Sequence, residues 1–133
     1  MEHRPVSVAF FSLCLAFTLL TCPIYAQAEW KYVSENPYSV EYIDLDTVVA
    51  EGDLRRIWEV GNSKNPRKDK YASLRQLKEY DCKNMRYRVL SFSTHSGELA
   101  RGKVLYSNNE VGKWIYIAPE TYASAALAGL CRR

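Results

Sequence analysis

Tyr71-Ala72-Ser73-Leu74-Arg75-Gln76-Leu77-Lys78-Glu79-Tyr80-Asp81-Cys82 is the stretch on which the fold turns. Up to Asp81 it reads as one strand, uninterrupted by Gly or Pro, and it delivers a cysteine to the strand's end. The partner for that cysteine is Cys131, at the end of a segment that reads as a helix. A bridge between the two ties a C-terminal helix to a central strand.

The other cysteines, Cys14 and Cys22, fall in a segment that reads as an export signal. Val6 to Leu20 is almost wholly apolar, and a run of about 15 is short of the roughly 20 residues a membrane-spanning helix needs. Pro23 breaks the run, and Ala26-Gln27-Ala28 supplies a small-x-small cleavage site. Cleavage is expected after Ala28, giving a signal peptide over 1–28 and a mature domain over 29–133. The charged start is weak, since Glu2 offsets Arg4. A rival reading acylates Cys22, but Thr21 before it is not the small residue that lipoprotein processing wants. No other run is apolar enough to cross a bilayer as a helix.

The mature domain keeps one cysteine pair. In an exported chain, a lone pair reads as a structural disulfide rather than a metal site or a catalytic thiol. A domain this small buries only part of its surface on folding, so a staple matters. Bridging Cys82 to Cys131 closes a loop of about 50 residues, which the chain-entropy relation values at roughly 4 kcal/mol. The net charge of +3 is mild and argues against a dedicated nucleic-acid binder.

The rest of the chain is mostly strand and turn, without repeats or linkers. Trp30 to Val33 is a short strand ended by Glu35-Asn36-Pro37. Tyr38 to Ile43 alternates as a second strand. Asp44 to Val49 reads as a helical turn capped by Asp44 or Asp46. Gly52 turns the chain into Leu54 to Val60, whose core face is read as Leu54, Trp58 and Val60, with Arg56 a misfit on it. Gly61 to Lys70 is a loop. Asn84 to Thr94 forms a strand, Ser96-Gly97 turns it into Leu99 to Tyr106, and Trp114 to Ile117 is a last short strand. Pro119 opens a helix running to about Leu130. Tyr122, Ala126 and Leu130 make its apolar stripe, and Ala125 and Gly129 beside it are read as allowing close approach to a sheet. Successive hairpins and one helix predict an α+β domain: an antiparallel sheet of about six strands curled around the C-terminal helix.

The chain resembles the surface-adhesin protein E family of bacterial exported proteins. The resemblance rests on Tyr71 to Cys82, on Arg88-Val89-Leu90-Ser91 with the Ser96-Gly97 turn, and on Trp114, Pro119 and Cys131. Trp30, Tyr42-Ile43-Asp44 and Trp58 match as well. Two positions depart from the pattern: His95 stands where an aromatic is usual, and Ala72 where an Arg is common. The resemblance implies a helix packed on the concave face of the sheet and fastened there by the disulfide. It also implies binding to host extracellular-matrix or serum glycoproteins, with no catalytic motif and no cofactor to carry over.

Among site candidates, the basic loop of Lys64, Arg67, Lys68 and Lys70 leads, because four cations within seven residues suit an acidic partner. The plain alternative is a solvated loop kept soluble by its charge. Arg132 and Arg133 add positive charge at the C-terminus. Of ten tyrosines, Tyr32, Tyr38 and Tyr42 near one sheet edge are the contact candidates, being large and amphipathic with few rotamers to lose. His95, the only histidine after the signal, is read as polar turn filler rather than a ligand or base. Asp44 and Asp46 read as turn caps rather than a catalytic pair. No Gly-x-Ser-x-Gly elbow or phosphate loop is present. The expectation is a non-enzymatic, metal-free exported binding protein, in the periplasm or on the outer cell surface, with outer-membrane association open. A periplasmic small-ligand or envelope protein of the same fold, with no adhesive role, is the alternative.

Overall fold

The computed structural model describes residues 27–132. The expected signal peptide, apart from Gln27 and Ala28, lies outside the described residues, as do the Cys22 acylation alternative and Arg133.

Seven strands form one antiparallel sheet. They are β1 (Trp30–Glu35), β2 (Ser39–Glu51), β3 (Leu54–Ser63), β4 (Ser73–Asp81), β5 (Arg86–His95), β6 (Val104–Asn108) and β7 (Ile115–Tyr116). The first six lie side by side in chain order, and each hairpin simply returns the chain beside itself. β5 shares its outer edge between two partners. Its end pairs with β6, and its start pairs with β7 through Arg86–Tyr116 and Tyr87–Ile115. One helical turn, α1 (Pro66–Asp69), sits in the β3–β4 loop, and the C-terminal helix is α2 (Tyr122–Leu130).

The sheet curls around α2. Ala126, Leu127 and Leu130 of the helix pack on Ile43, Ile57 and Tyr80. The predicted stripe holds for Ala126 and Leu130, while Tyr122 is only partly buried and Leu127 completes the contact. Ala125 and Gly129 are exposed instead, and a methyl group on Gly129 would meet nothing. Close approach therefore comes from Ala126, on the packed side. Cys82 and Cys131 are bonded as expected, with Cα atoms 5.6 Å apart.

Four local readings are corrected. Asp44 to Val49 is not a helical turn between strands but a bulge inside β2, where the register slips between the Asp44–Trp58 and Val49–Arg56 pairs. The capping chemistry is nonetheless real: Asp44 Oδ1 accepts the Asp46 N–H at 3.2 Å, and Thr47 Oγ1 donates to the Asp44 carbonyl at 2.6 Å. Ladder bonds on either side keep the chain extended overall. The helix-covered face of β3 carries Ile57 and Glu59; Val60 is fully buried, as read, but on the opposite face with Leu54 and Trp58, which are only partly buried. Arg56 is thus no misfit, since it lies on the outer face and pairs with Glu51 at 2.7 Å. Pro119 precedes α2 rather than opening it. Thr121 is the N-cap, in a reciprocal capping box with Ser124. Finally, Leu99 begins no strand. Glu98–Ala100 is a tight turn with Leu99 at φ 54°, and β6 starts at Val104.

Breaking the bridge by reduction, or by Cys82→Ser with Cys131→Ser, should lower stability by about 4 kcal/mol. For a domain of this size that is a fall in Tm of roughly 15–30 °C. Paired thermal melts with and without reductant measure it, and coincident curves would show that the helix docks without the staple.

Candidate functional site

The four predicted cations sit on and around α1. Asn65 caps the turn with its side chain, Pro66 fits the first helical position, and Lys70 ends it with φ 63°. Arg67, Lys68 and Lys70 are exposed and make no ion pair among the described residues. Lys64 differs, because its Nζ lies 2.9 Å from Glu35 Oε2 in β1. That pair, and the hydrogen bond from the Lys64 N–H to the Tyr38 carbonyl at 2.9 Å, join the basic loop to the β1–β2 turn. Tyr38, 79% exposed, therefore stands beside the cations. Tyr32 and Tyr42 do not join this group. They pair across β1 and β2, ring edge to face at 6.1 Å. The predicted set is thus two patches: a basic loop with Tyr38, and a separate tyrosine pair near the sheet edge.

Between the loop and α2 the sheet opens into a cleft of about 390 Å³, lined among others by Tyr38, Glu41, Asp69, Tyr71, Gln76 and Tyr122. Burial raises the Tyr71 hydroxyl above its ordinary pKa, with Asp69 and Glu41 adding to the rise. Lys78, which also lines the cleft, is only 7% exposed. Its Nζ is 2.7 Å from Glu59 Oε2 and 5.1 Å from the ring centres of both Tyr87 and Tyr122. Tyr80 donates to Glu59 Oε1 at 2.5 Å. Burial, then the Glu59 charge, pushes the Tyr80 and Tyr122 hydroxyls far above the ordinary phenol range, so both stay protonated. A buried charge pair under the helix was not foreseen. Glu59 and Lys78 lie on different strands, and no local pattern announces their meeting.

His95 is not turn filler. It ends β5, is 3% exposed, and its Nε2 lies 2.9 Å from Ser93 Oγ. Burial, then the Arg75 charge, lowers its pKa. The loop beyond it is clamped to the sheet's outer face. The Leu99 N–H donates to Asn62 Oδ1 at 2.8 Å and the Ala100 N–H to Ser73 Oγ at 3.0 Å. Asn62 and Ser73 are buried and pair across β3 and β4. In the sequence they look like ordinary polar loop flanks. Asp81 works similarly at the other end of β4, accepting from the Lys83 and Asn84 N–H groups and from Asn84 Nδ2 and Arg86 Nε. That explains why β5 begins at Arg86 and not at Asn84.

A meander sheet wrapped on its own last helix and stapled by one bridge, with cations and tyrosines on its loops and edges, defines a disulfide-stapled α+β module. The chain belongs to the surface-adhesin protein E family, whose pattern matches residues 30–132. The fold agrees with solved structures of Haemophilus influenzae protein E. Crystal form II is 14% identical, with 82% of this chain and 91% of that chain covered and a TM-score of 0.62. A second structure of that protein is 16% identical, with coverage of 82% and 88% and a TM-score of 0.61. The structure from the non-typeable bacterium is 14% identical, with coverage of 82% and 79% and a TM-score of 0.60. No curated protein sequence matches the chain. Among the described residues no helix is long and apolar enough to cross a membrane.

Two outcomes follow from the buried ionisable groups. Lys78→Met alone strands the Glu59 carboxylate and should cost about 3–5 kcal/mol, whereas Lys78→Met with Glu59→Leu should cost clearly less. Urea midpoints of the three proteins check this, and equal losses would show the pair to be incidental. For His95, the folded pKa lies below the ordinary 6.5. The unfolded chain therefore takes up a proton that the folded chain refuses, and stability should fall as pH drops below about 6.5. Unfolding midpoints between pH 8 and pH 5 should show this slope, and His95→Gln should flatten it. Asp81 is held below its usual range, chiefly by Asn84, so its loss falls at lower pH still.

Proposed function

We propose that this chain is an exported bacterial binding protein that attaches to host extracellular-matrix or serum glycoproteins. The contact surface is the basic β3–β4 loop, Lys64, Arg67, Lys68 and Lys70, with Tyr38 at its side. The observation that carries this reading is the exposure of Arg67, Lys68 and Lys70 on a capped turn, without ion pairs among the described residues. Cations held outward by a rigid turn meet an acidic surface without first breaking internal bonds. A Tyr ring beside them adds apolar area at small entropic cost. Family membership supports the adhesive role. No catalytic function is proposed.

Neutralising the four cations together should weaken binding to immobilised extracellular-matrix or serum glycoproteins and flatten its dependence on salt. Surface plasmon resonance across an ionic-strength series reads both effects, and unchanged affinity would remove the loop from the mechanism. Antibody labelling of intact cells, with a periplasmic control, tests the location the reading requires. Release by osmotic shock without labelling would rule out adhesion.

The second reading is a periplasmic small-ligand protein of the same fold. The cleft beside α2, with Lys78 and Gln76 among its lining residues, favours it. A molecule that co-purifies in native mass spectrometry would support that reading.

A further inference from the structure

The outer face of the sheet carries a second hollow, away from the basic loop. Trp30, Asp44 and Trp58 are cross-strand neighbours on β1, β2 and β3, so the carboxylate stands between two indoles in one row. The bulge in β2 adds Asp46 and Thr47, and Arg75 of β4 closes the set around a cavity of about 350 Å³. This is at the small end of ligand pockets, which run from about 300 to 1,000 Å³. A smaller hollow of about 200 Å³ shares Trp30 and Arg75 and continues toward Leu99 and Arg101. Gln27 and Ala28 also line both hollows. The expected cleavage would remove those two walls, leaving a more open hollow with all six sheet residues in place.

The chemistry of the walls narrows the ligand. Both tryptophans are only partly buried and take no part in the core under α2. They offer flat apolar faces in a pocket that is otherwise polar. The Arg75 guanidinium already lies over Trp58, 4.8 Å from the ring centre, so a cation entering that indole cage would meet a resident positive charge. An anion would meet three carboxylates, Asp44, only 4% exposed, Asp46, and Glu29, which pairs with Lys31. A neutral ligand with one apolar ring face and several hydroxyls avoids both conflicts. Its C–H face stacks on indole, a carboxylate accepts from neighbouring hydroxyls, and a guanidinium donates to ring or hydroxyl oxygens. Arg75 makes no ion pair among the described residues, which leaves its terminal guanidinium nitrogens for a ligand, whereas its Nε is buried and out of a ligand's reach. Thr47 is anchored too, donating to the Asp44 carbonyl and accepting the Trp58 N–H at 3.2 Å. The floor of the hollow is therefore rigid.

We infer that this hollow is a saccharide subsite for a single pyranose ring, with Trp30 as the open stacking wall, Trp58 beside it under the Arg75 guanidinium, and Asp44, Asp46 and Arg75 as hydroxyl partners. It lies apart from the basic loop and stands whether or not that loop binds glycoproteins.

The test is saturation-transfer NMR on the purified, disulfide-bonded protein with the methyl β-glycosides of glucose, galactose and N-acetylglucosamine. Tetramethylammonium serves as the cation probe. At least one glycoside should receive transfer on the protons of one ring face, with weak, millimolar binding. Trp30→Ala and Asp46→Ala should each weaken it by about tenfold or more, in keeping with loss of an aromatic anchor or a hydrogen-bond partner. Asp46 is exposed, so its variant should fold even if an indole substitution disturbs the sheet. Trp114→Phe, outside the hollow, should change nothing. No transfer to any of the three glycosides, transfer indifferent to both variants, or stronger transfer to tetramethylammonium would each overturn the assignment. Salt-dependent glycoprotein binding through the basic loop should survive Trp30→Ala, so the two sites fail separately.

Discussion

The bridge between Cys82 and Cys131 is the constraint on which the rest depends. The inner face of the sheet is too polar to hold a helix by apolar burial alone. Ile43, Ile57 and Tyr80 from the sheet meet Ala126, Leu127 and Leu130 in the buried cluster, and Val33, Val48 and Tyr87 around it are only partly buried. At about 1.5–3 kcal/mol for each large side chain, that is a modest gain against the cost of ordering a short helix. A nine-residue helix is marginal in water on its own. Tying its end to β4 makes docking an event within one closed loop. It also holds Tyr122 over Lys78, which keeps the Glu59–Lys78 pair enclosed.

The opposite face is held by different means. Glu51 pairs with Arg56, Arg56 approaches Glu79, and Glu79 takes Arg88 at 2.6 Å. Arg86, bound to Asp81, and Arg88 both lie over Trp114, at 4.5 and 4.4 Å from the ring centre. This chain of charges crosses β2, β3, β4 and β5 and fastens the segment that carries Trp114. Single surface ion pairs are worth little, but a network with stacked guanidinium groups braces a face that no helix covers.

These two solutions explain what the sequence reveals and what it hides. Hairpin order, the terminal helix and the disulfide were legible because turn residues, helical spacing and cysteine counting are local or arithmetical signals. The facing of β3 was not. Leu54, Trp58 and Val60 alternate as a core strand should, yet the alternate set with Glu59 faces the helix. Only the arrival of Lys78 and Tyr80 from the next strand makes a buried glutamate tolerable. The same holds for His95 and for the Asn62 and Ser73 clamp, whose roles arise from partners tens of residues away. The basic loop could be read because its charges are contiguous and its turn is capped from within. The two tyrosine positions that proved remote from it are joined by strand pairing, which a list of nearby residues does not display.

Closing the inner face has a consequence for recognition. Once α2 occupies the curl, ligands can reach the domain at the loops, at the cleft beside the helix, or on the outer face. The outer face is nearly saturated with internal pairs, and Arg56, Glu79, Arg86 and Arg88 are already engaged. Recognition there needs groups that the bracing leaves over. At the β1–β3 end, β2 bulges instead of running straight. The bulge moves Asp46 and Thr47 out of the ladder and beside two tryptophans, opening a hollow where regular pairing would have left a flat surface. A bulge costs ladder hydrogen bonds, and here Asp44 and Thr47 recover them with their own side chains. The irregularity that defeats a simple reading of β2 is thus what gives the outer face a concave, mixed aromatic and polar feature.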